Sequence, residues 1–355
     1  MKKILKRLTA ICSAAATTAA MYTGILFGSE NFITANSVVR GQCESYQGSN
    51  ENANDYGYYA YHTIDSYLIS LQEGGYMRFQ NGAVENAYLI EYYDSEYNFV
   101  KDIKLEQELS IFGGFYATDD YYYILSGQEN PNQLSNAECF RITKYDKDWN
   151  KIKSAGLADC NTVAPFYAGS ARFAVSGKYM FIRTSHKMYR YTDGLNHQAN
   201  VTIQLDTEAM KITDSFTSVS SEDYGYVSHS FNQFIHTENN RIIALDHGDA
   251  NPRSIVLTEY ITDFSGGKFT PTNKTKCVTT DIVKFPGSDK RHYNYTGAAI
   301  GGFEISDTHY IAAYSAESYT DNNVDEDTRN ICIGTVDKKT KSTINRQITN
   351  YAKGS

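Results

Sequence analysis

From about residue 64 onward, apolar and polar positions alternate in short runs separated by polar turns, and one arrangement is written four times. A small or polar pair precedes Phe, a tight polar turn follows, and an apolar, aromatic run comes next. The copies are Gly113-Gly114-Phe115 leading through Asp119-Asp120 into 121–125, and Ala171-Arg172-Phe173 leading through Ser176-Gly177-Lys178 into 179–182. Asn232-Gln233-Phe234 leads through Glu238-Asn239-Asn240 into 241–245, and Gly301-Gly302-Phe303 through Ser306-Asp307-Thr308 into 309–314. The four Phe are 58, 61 and 69 residues apart. A strand-built repeat of that period predicts a propeller or a related array of sheets.

Alternating runs that end in Asp and polar turn residues occur five times, one before the first copy and one after each. These ends are Tyr93-Asp94, Tyr145-Asp146, Leu205-Asp206, Thr262-Asp263 and Val336-Asp337. Asp opens such turns because its carboxylate accepts backbone N–H groups within the turn. Runs such as Phe140-Arg141-Ile142-Thr143-Lys144-Tyr145 have the period-two alternation of strands. An earlier unit fits as well, with runs at 67–71, 76–79 and 88–92 around the Glu73-Gly74-Gly75 turn. The pattern thus predicts an all-β chain of about five four-stranded meanders, strands A to D, over residues 64–350. They form either a closed five-bladed propeller or part of a six- or seven-bladed ring. Thirty Tyr and seventeen Phe against five Pro suit aromatic packing between such sheets.

The N-terminus reads differently. Lys2, Lys3, Lys6 and Arg7 precede a mild apolar stretch from Leu8 to Phe27, which predicts a secretory signal peptide over 1–35. An N-terminal segment at 36–63 and a tail at 351–355 flank the repeat. The reading places the protein outside the cytoplasm, secreted or at the cell surface. Cleavage after Ala35 takes four of 33 basic and one of 41 acidic residues, so the net charge moves from −8 to −11. Such a surface disfavours nucleic acid and anionic membrane as partners. Five Cys follow the leader, at 43, 139, 160, 277 and 332. Cys139 and Cys160 flank neighbouring strands of one unit and are the candidate disulfide.

In an antiparallel meander, successive turns alternate between ends. The A–B and C–D turns therefore share one face, and the B–C loops and D–A connections share the other. Tight turns are expected on the first face and every long segment on the second: 127–138, 184–199, 246–253 and 315–329, then 156–167, 213–228 and 277–298. Variable loops on a rigid scaffold are where binding resides. The candidate ligand-binding residues are accordingly His186, His229, Asp246, His247, Asp249 and Arg253, with Arg183 beside them. Three His and two Asp on one face have the chemistry to hold a metal, polarise an anion or orient a sugar. Asp321, Asn323, Asp325 and Asp327 place oxygen donors at alternate positions, a pattern with some likeness to a calcium loop, so Ca2+ is the one cofactor considered. No Gly-x-Ser-x-Gly elbow, phosphate-binding Gly loop, His-Glu-x-x-His or Cys-x-x-Cys occurs.

The five units resemble exported bacterial β-propeller repeat proteins, and the resemblance implies fold and export. Five-bladed propellers include glycoside hydrolases, whose carboxylates stand at the channel mouth. By that resemblance Asp65, Asp246 and Asp249 are the candidates, without a complete acid and base set. The resulting expectation is a non-catalytic module binding a glycan or a surface protein through its loop-rich face. The alternatives are a propeller enzyme, either a glycosidase or a transferase using His229, His247 and Asp249, and a structural spacer.

Overall fold

A computed structural model describes residues 64–286, 296–320 and 323–351 of the chain. The leader, Cys43 and Asp321 lie outside the described residues. The described part is built of antiparallel strands. The first sheet is β1 (Ser66–Ser70), β2 (Tyr76–Val84), β3 (Ala87–Tyr93) and β4 (Phe99–Glu106). The second is β5 (Ile111–Ala117), β6 (Tyr122–Gly127), β7 (Phe140–Tyr145) and β8 (Lys151–Leu157). The last is β18 (Ala298–Ile305), β19 (His309–Thr320), β20 (Asn323–Asp337) and β21 (Thr343–Gln347). All three are simple meanders.

The third and fourth units are fused into one nine-stranded sheet. Its third-unit strands are β9 (Thr162–Pro165), β10 (Arg172–Ser176), β11 (Tyr179–Arg190), β12 (Asn196–Asp206) and β13 (Lys211–Phe216). Its fourth-unit strands are β14 (Ser228–Glu238), β15 (Arg241–Asn251), β16 (Arg253–Glu259) and β17 (Val278–Lys284). The join is a single bridge, Ala199 opposite Ser228. The side chain of Asn200 clasps it, accepting from Val227 N (2.7 Å) and donating to Gly225 O (3.0 Å).

The middle strands β6, β11 and β15 each carry an uninterrupted apolar run near their start because both of their faces are covered. In β6, Tyr122 and Ile124 face the first sheet, while Tyr123 and Leu125 face the third unit. In β15, Ile242 and Ala244 pack toward the third unit and Ile243 and Leu245 toward the last sheet. Four hydrophobic clusters thus lie between successive units. Each buried Leu, Ile or Phe contributes about 1.5–3 kcal/mol of transfer free energy. Outer strands such as β21, exposed along its whole length, contribute little apolar burial.

Phe115, Phe173, Phe234 and Phe303 all lie on A strands, opposite Ile124, Ile182, Leu245 and Ala312. Phe115 and Phe303 are buried, whereas Phe173 and Phe234 are half-buried, less than the repeat predicts. In three of the four A strands the register slips just before the Phe, between Phe112 and Gly114, Phe231 and Phe234, and Ile300 and Gly302. A β-bulge there explains the paired glycines. In β14 the same place holds Asn232 at φ +46, a left-handed backbone that Asn tolerates better than most residues.

The Asp turns behave as expected. Asp94 accepts from the amides of Glu96 and Asn98 (2.9 Å each), and Asp146 from those of Asp148 (2.9 Å) and Asn150 (2.8 Å). Asp206, Asp263 and Asp337 do the same in their own turns. The side-chain amides of Asn98 and Asn150, which contribute most at Asp94 and Asp146, and these turn bonds together hold the carboxyls of Asp94, Asp146, Asp263 and Asp337 below their ordinary pKa.

Two expectations about the faces are corrected. The segments at 184–199, 246–253 and 315–329 are largely strand, formed where the B–C hairpins run past the sheet, as in the pairing of Asp249 with Arg253. Their backbones continue the antiparallel ladder instead of leaving it. Conversely, the fourth C–D connection, 260–277, is long and lies at the tight-turn end. It carries Phe264 and Phe269 onto Phe181, with ring centroids 4.5 and 6.4 Å apart.

Candidate functional site

The A–B pairing places Arg183 on β11 and Asp246 on β15, and the packing of third against fourth unit brings them together. Arg183 Nε donates to both Asp246 oxygens (3.1 Å each) and Nη2 lies 2.5 Å from Oδ2. Nη1 donates to Thr202 Oγ1 (2.8 Å) and to Tyr260 OH (3.0 Å), and Ser230 Oγ donates to Asp246 Oδ1 (2.9 Å). Both charged side chains are fully buried. Burial opposes the guanidinium charge, but Asp246 and Tyr260 more than offset it, so Arg183 stays charged above its ordinary pKa. Asp246 is therefore an internal brace and not a loop ligand. It has no free oxygen to offer a substrate, which removes it from the carboxylates available to a glycosidase.

His186 and His247 are also internal, each with 0 % exposure. Thr162 Oγ1 donates to Cys160 O (2.8 Å) and so accepts from His186 Nδ1 (2.7 Å), which leaves Nε2 as a buried acceptor without a partner. His247 Nε2 meets Thr296 Oγ1 at 2.7 Å, and its ring is set edge-on between Phe231 and Phe285. Burial pushes both imidazoles down to about 3. Neutral rings enclosed in this way have no access to a ligand.

Only one predicted pair retains an open edge. Asp249, 1 % exposed, accepts from or shares a proton with His229 Nδ1 at 3.0 Å, and the His229 side chain is 32 % exposed. His229 sits at φ +53, a conformation costly for a residue with a Cβ. Arg253 is turned inward, with Nη1 donating to Asp249 O (2.6 Å) and Nε to Pro286 O (2.7 Å). Among the described residues, no three His, Cys, Asp or Glu side chains group closely enough to hold a metal ion. The predicted calcium segment is strand in its described backbone, with Asn323 opposite Thr320 and Asp325 opposite Ser318. Cys139 and Cys160 are neighbours, as the spacing implied, but both are free buried thiols. A hydrogen bond between them, with burial, raises the Cys139 pKa, and the same bond lowers that of Cys160 against the effect of burial.

A cavity of about 240 Å³ lies elsewhere, at the tight-turn end between the first two sheets. Its walls are the 69–73 turn, Tyr92, the 117–119 turn, Tyr122 and Lys147. Lys147 donates to Thr118 O (2.5 Å), and its Nζ lies 4.0 Å from the centre of the Tyr122 ring. Desolvation lowers the Lys147 pKa, against the pull of Asp119, Asp120 and Glu73. Trp149 Nε1 donates to Tyr92 OH (2.7 Å), which also bonds Tyr122, and burial raises the pKa of both tyrosines. The floor is thus a fixed pair of hydroxyls and the rim an ammonium beside exposed carboxylates. Sequence reasoning missed this site because Glu73, Asp119 and Lys147 each look like ordinary turn residues. The only available signal was that all three turns share one end of adjacent units.

The sheet order and the core between consecutive meanders define the class: an all-β protein of the β-propeller type. No family model matches the sequence, and no curated protein does either. Among solved structures, the chain is similar to lignostilbene dioxygenase from Pseudomonas brassicacearum, at 11% identity and TM-score 0.39, covering 81% of this chain and 61% of that one. It is likewise similar to prolyl oligopeptidase B from Galerina marginata, at 10% identity and TM-score 0.40, covering 81% of this chain and 35% of that one. The chain thus spans less than two thirds of either protein.

Proposed function

We propose that the protein is a non-catalytic ligand-binding propeller, secreted or displayed at the cell surface, and that its ligand is a sugar residue of a glycan. The observation that carries the reading is the cavity between the first two sheets. At about 240 Å³ it is smaller than the roughly 300–1,000 Å³ of sites for drug-sized ligands, so a single ring suits it. Its walls mix acceptors (Glu73, Asp119), a donor (Lys147) and hydroxyls (Tyr92, Tyr122). A ligand hydroxyl both donates and accepts, so a polyol satisfies this mixture, whereas a purely anionic or cationic group does not. The basic and then apolar leader supports the assignment outside the cytoplasm. The partner surface differs from the sequence expectation, since the turn-rich end takes the place of the loop-rich one.

Isothermal titration against a panel of monosaccharides and short oligosaccharides tests this. At least one sugar should bind, and Lys147→Ala and Tyr92→Phe should each weaken it without lowering the melting temperature by more than a few degrees. A panel in which nothing binds, or binding untouched by Lys147→Ala, overturns the assignment.

A catalytic reading is favoured only by the His229–Asp249 pair, an imidazole oriented by a buried carboxylate. Hydrolysis of a polysaccharide panel that disappears in His229→Ala would support that reading in place of the first.

A further inference from the structure

Beyond the cavity, the inner strands carry a cation, Arg172, that has no counter-charge among the described residues. The starts of the A strands converge on the 168–172 segment. Ile64 N donates to Ser170 Oγ (2.6 Å), Ala171 N to Gly113 O (2.8 Å), and Asn232 N to Ala168 O (3.2 Å). These contacts join the first, second and fourth units to the third, so the segment lies at the axis. Gly169 allows the approach: it has φ +139, and a Cβ there would come within 3.2 Å of Asn232 N and Gln233 Oε1.

Arg172 follows this segment. Its guanidinium carbon lies 4.5 Å from the centre of the Phe234 ring, so Phe234 covers one side of the group. Nε is buried and has no hydrogen-bond partner. The titratable group that faces it is Tyr67 on β1, a phenol that burial keeps protonated, and therefore neutral, well above its ordinary range. Arg172 therefore differs from Arg183, its partner across the β10–β11 ladder, which has a carboxylate, a hydroxyl and a phenol in place. An arginine does not shed its proton to relieve burial, so one left unpaired among the described residues calls for an anion beyond them. Stacking on an aromatic ring leaves the N–H edge in the plane of the guanidinium, where a planar carboxylate forms two parallel hydrogen bonds.

We propose that Arg172, backed by Phe234, is a binding site at the axis for the carboxylate of a small ligand or chain end. One carboxylate matches the one unpaired charge, whereas a phosphate dianion would leave an excess negative charge in a partly desolvated place. The site is separate from the cavity between the first two sheets and does not rest on it.

The test is a titration of the Arg172 Nε–H resonance, assigned by its loss in Arg172→Lys, with sodium acetate, inorganic phosphate and sodium chloride at matched ionic strength. Acetate should move the resonance to saturation, phosphate should bind more weakly, and chloride should leave it in place. Phe234→Leu should weaken acetate several-fold, and Arg172→Gln should weaken acetate binding measured by calorimetry about tenfold or more. Equal, unsaturated shifts with all three salts overturn the proposal, as does tighter binding of phosphate. If Arg172→Gln fails to fold, the wild-type titration and Phe234→Leu decide.

Discussion

Two interfaces of the molecule are both buried and built on opposite chemistry. Between the first and second sheets the core is aromatic: Phe79 stacks on Phe115 (4.4 Å, 5°) and Trp149 on Tyr122 (4.4 Å, 20°). Between the third and fourth units the centre is the Arg183–Asp246 pair with Thr202, Tyr260 and Ser230 around it. The aromatic interface gains from area and tolerates small shifts. The polar one gains little net energy, because desolvation of two ions consumes most of their attraction, but it penalises any displacement heavily. The polar interface is also where the two units merge into one sheet, and two of the three overrunning B–C hairpins, 184–199 and 246–253, belong to these units. A buried pair of fixed geometry supplies the register that a continuous ladder across two units needs.

The comparison can be broken at its polar end first. Asp246→Ala strands a buried guanidinium and should cost about 3–5 kcal/mol in urea unfolding. The double change Arg183→Met with Asp246→Leu should recover most of that loss. Failure of the double change to recover would show that the hydrogen bonds to Thr202 and Tyr260, not the charge pair, hold the interface. At the aromatic end, Phe115→Ala should cost about 3–5 kcal/mol as a core truncation. Phe173→Ala, at a half-buried site, should cost clearly less, and equal losses would restore the strict repeat.

Two buried histidines outside both interfaces add a pH dependence below neutrality. His186 and His247 are held neutral in the fold, near pKa 3, while an unfolded His titrates near 6.5. Above pH 6.5 neither state binds the proton. Below it the unfolded chain takes up protons that the fold refuses, so stability falls from pH 6.5 down toward 3. The slope should be about 1.4 kcal/mol per pH unit for each His, or about 2.7 for the pair. Urea midpoints measured between pH 7 and 5 check this, and His186→Gln or His247→Gln should each remove about half of the slope. A flat profile would mean that water reaches both rings. The smallest expected effect is on Lys147→Ala, which should leave stability nearly unchanged and act on sugar binding alone.

Much of the fold was legible along the chain, because its signals are local. The Asp94, Asp146, Asp206 and Asp337 turns mark the strand ends to within a residue, since the carboxylate bonds amides two to four positions on. At Asp263 the same marker falls beyond Glu259, where β16 ends, because the chain there continues into a long connection. The candidate site was legible only in its pairings: Arg183 does meet Asp246, and His229 does meet Asp249. Their accessibility was not legible, because a strand that continues past its sheet and a loop that leaves it share the same residues.

Period-two alternation, the repeated Phe and the turn-forming Asp determined that this chain makes antiparallel meanders in series, since each depends on residues a few positions apart. The tertiary structure alone decided which polar side chains are buried and which face an opening. That outcome rests on how a neighbouring sheet covers a strand, as when Asp246 and His247 are sealed while Arg172 has no counter-charge among the described residues. It placed the cavity as well, because its walls come from two sheets whose turns meet only after packing. Burial is a property of pairs of surfaces, and one strand's sequence records only its own.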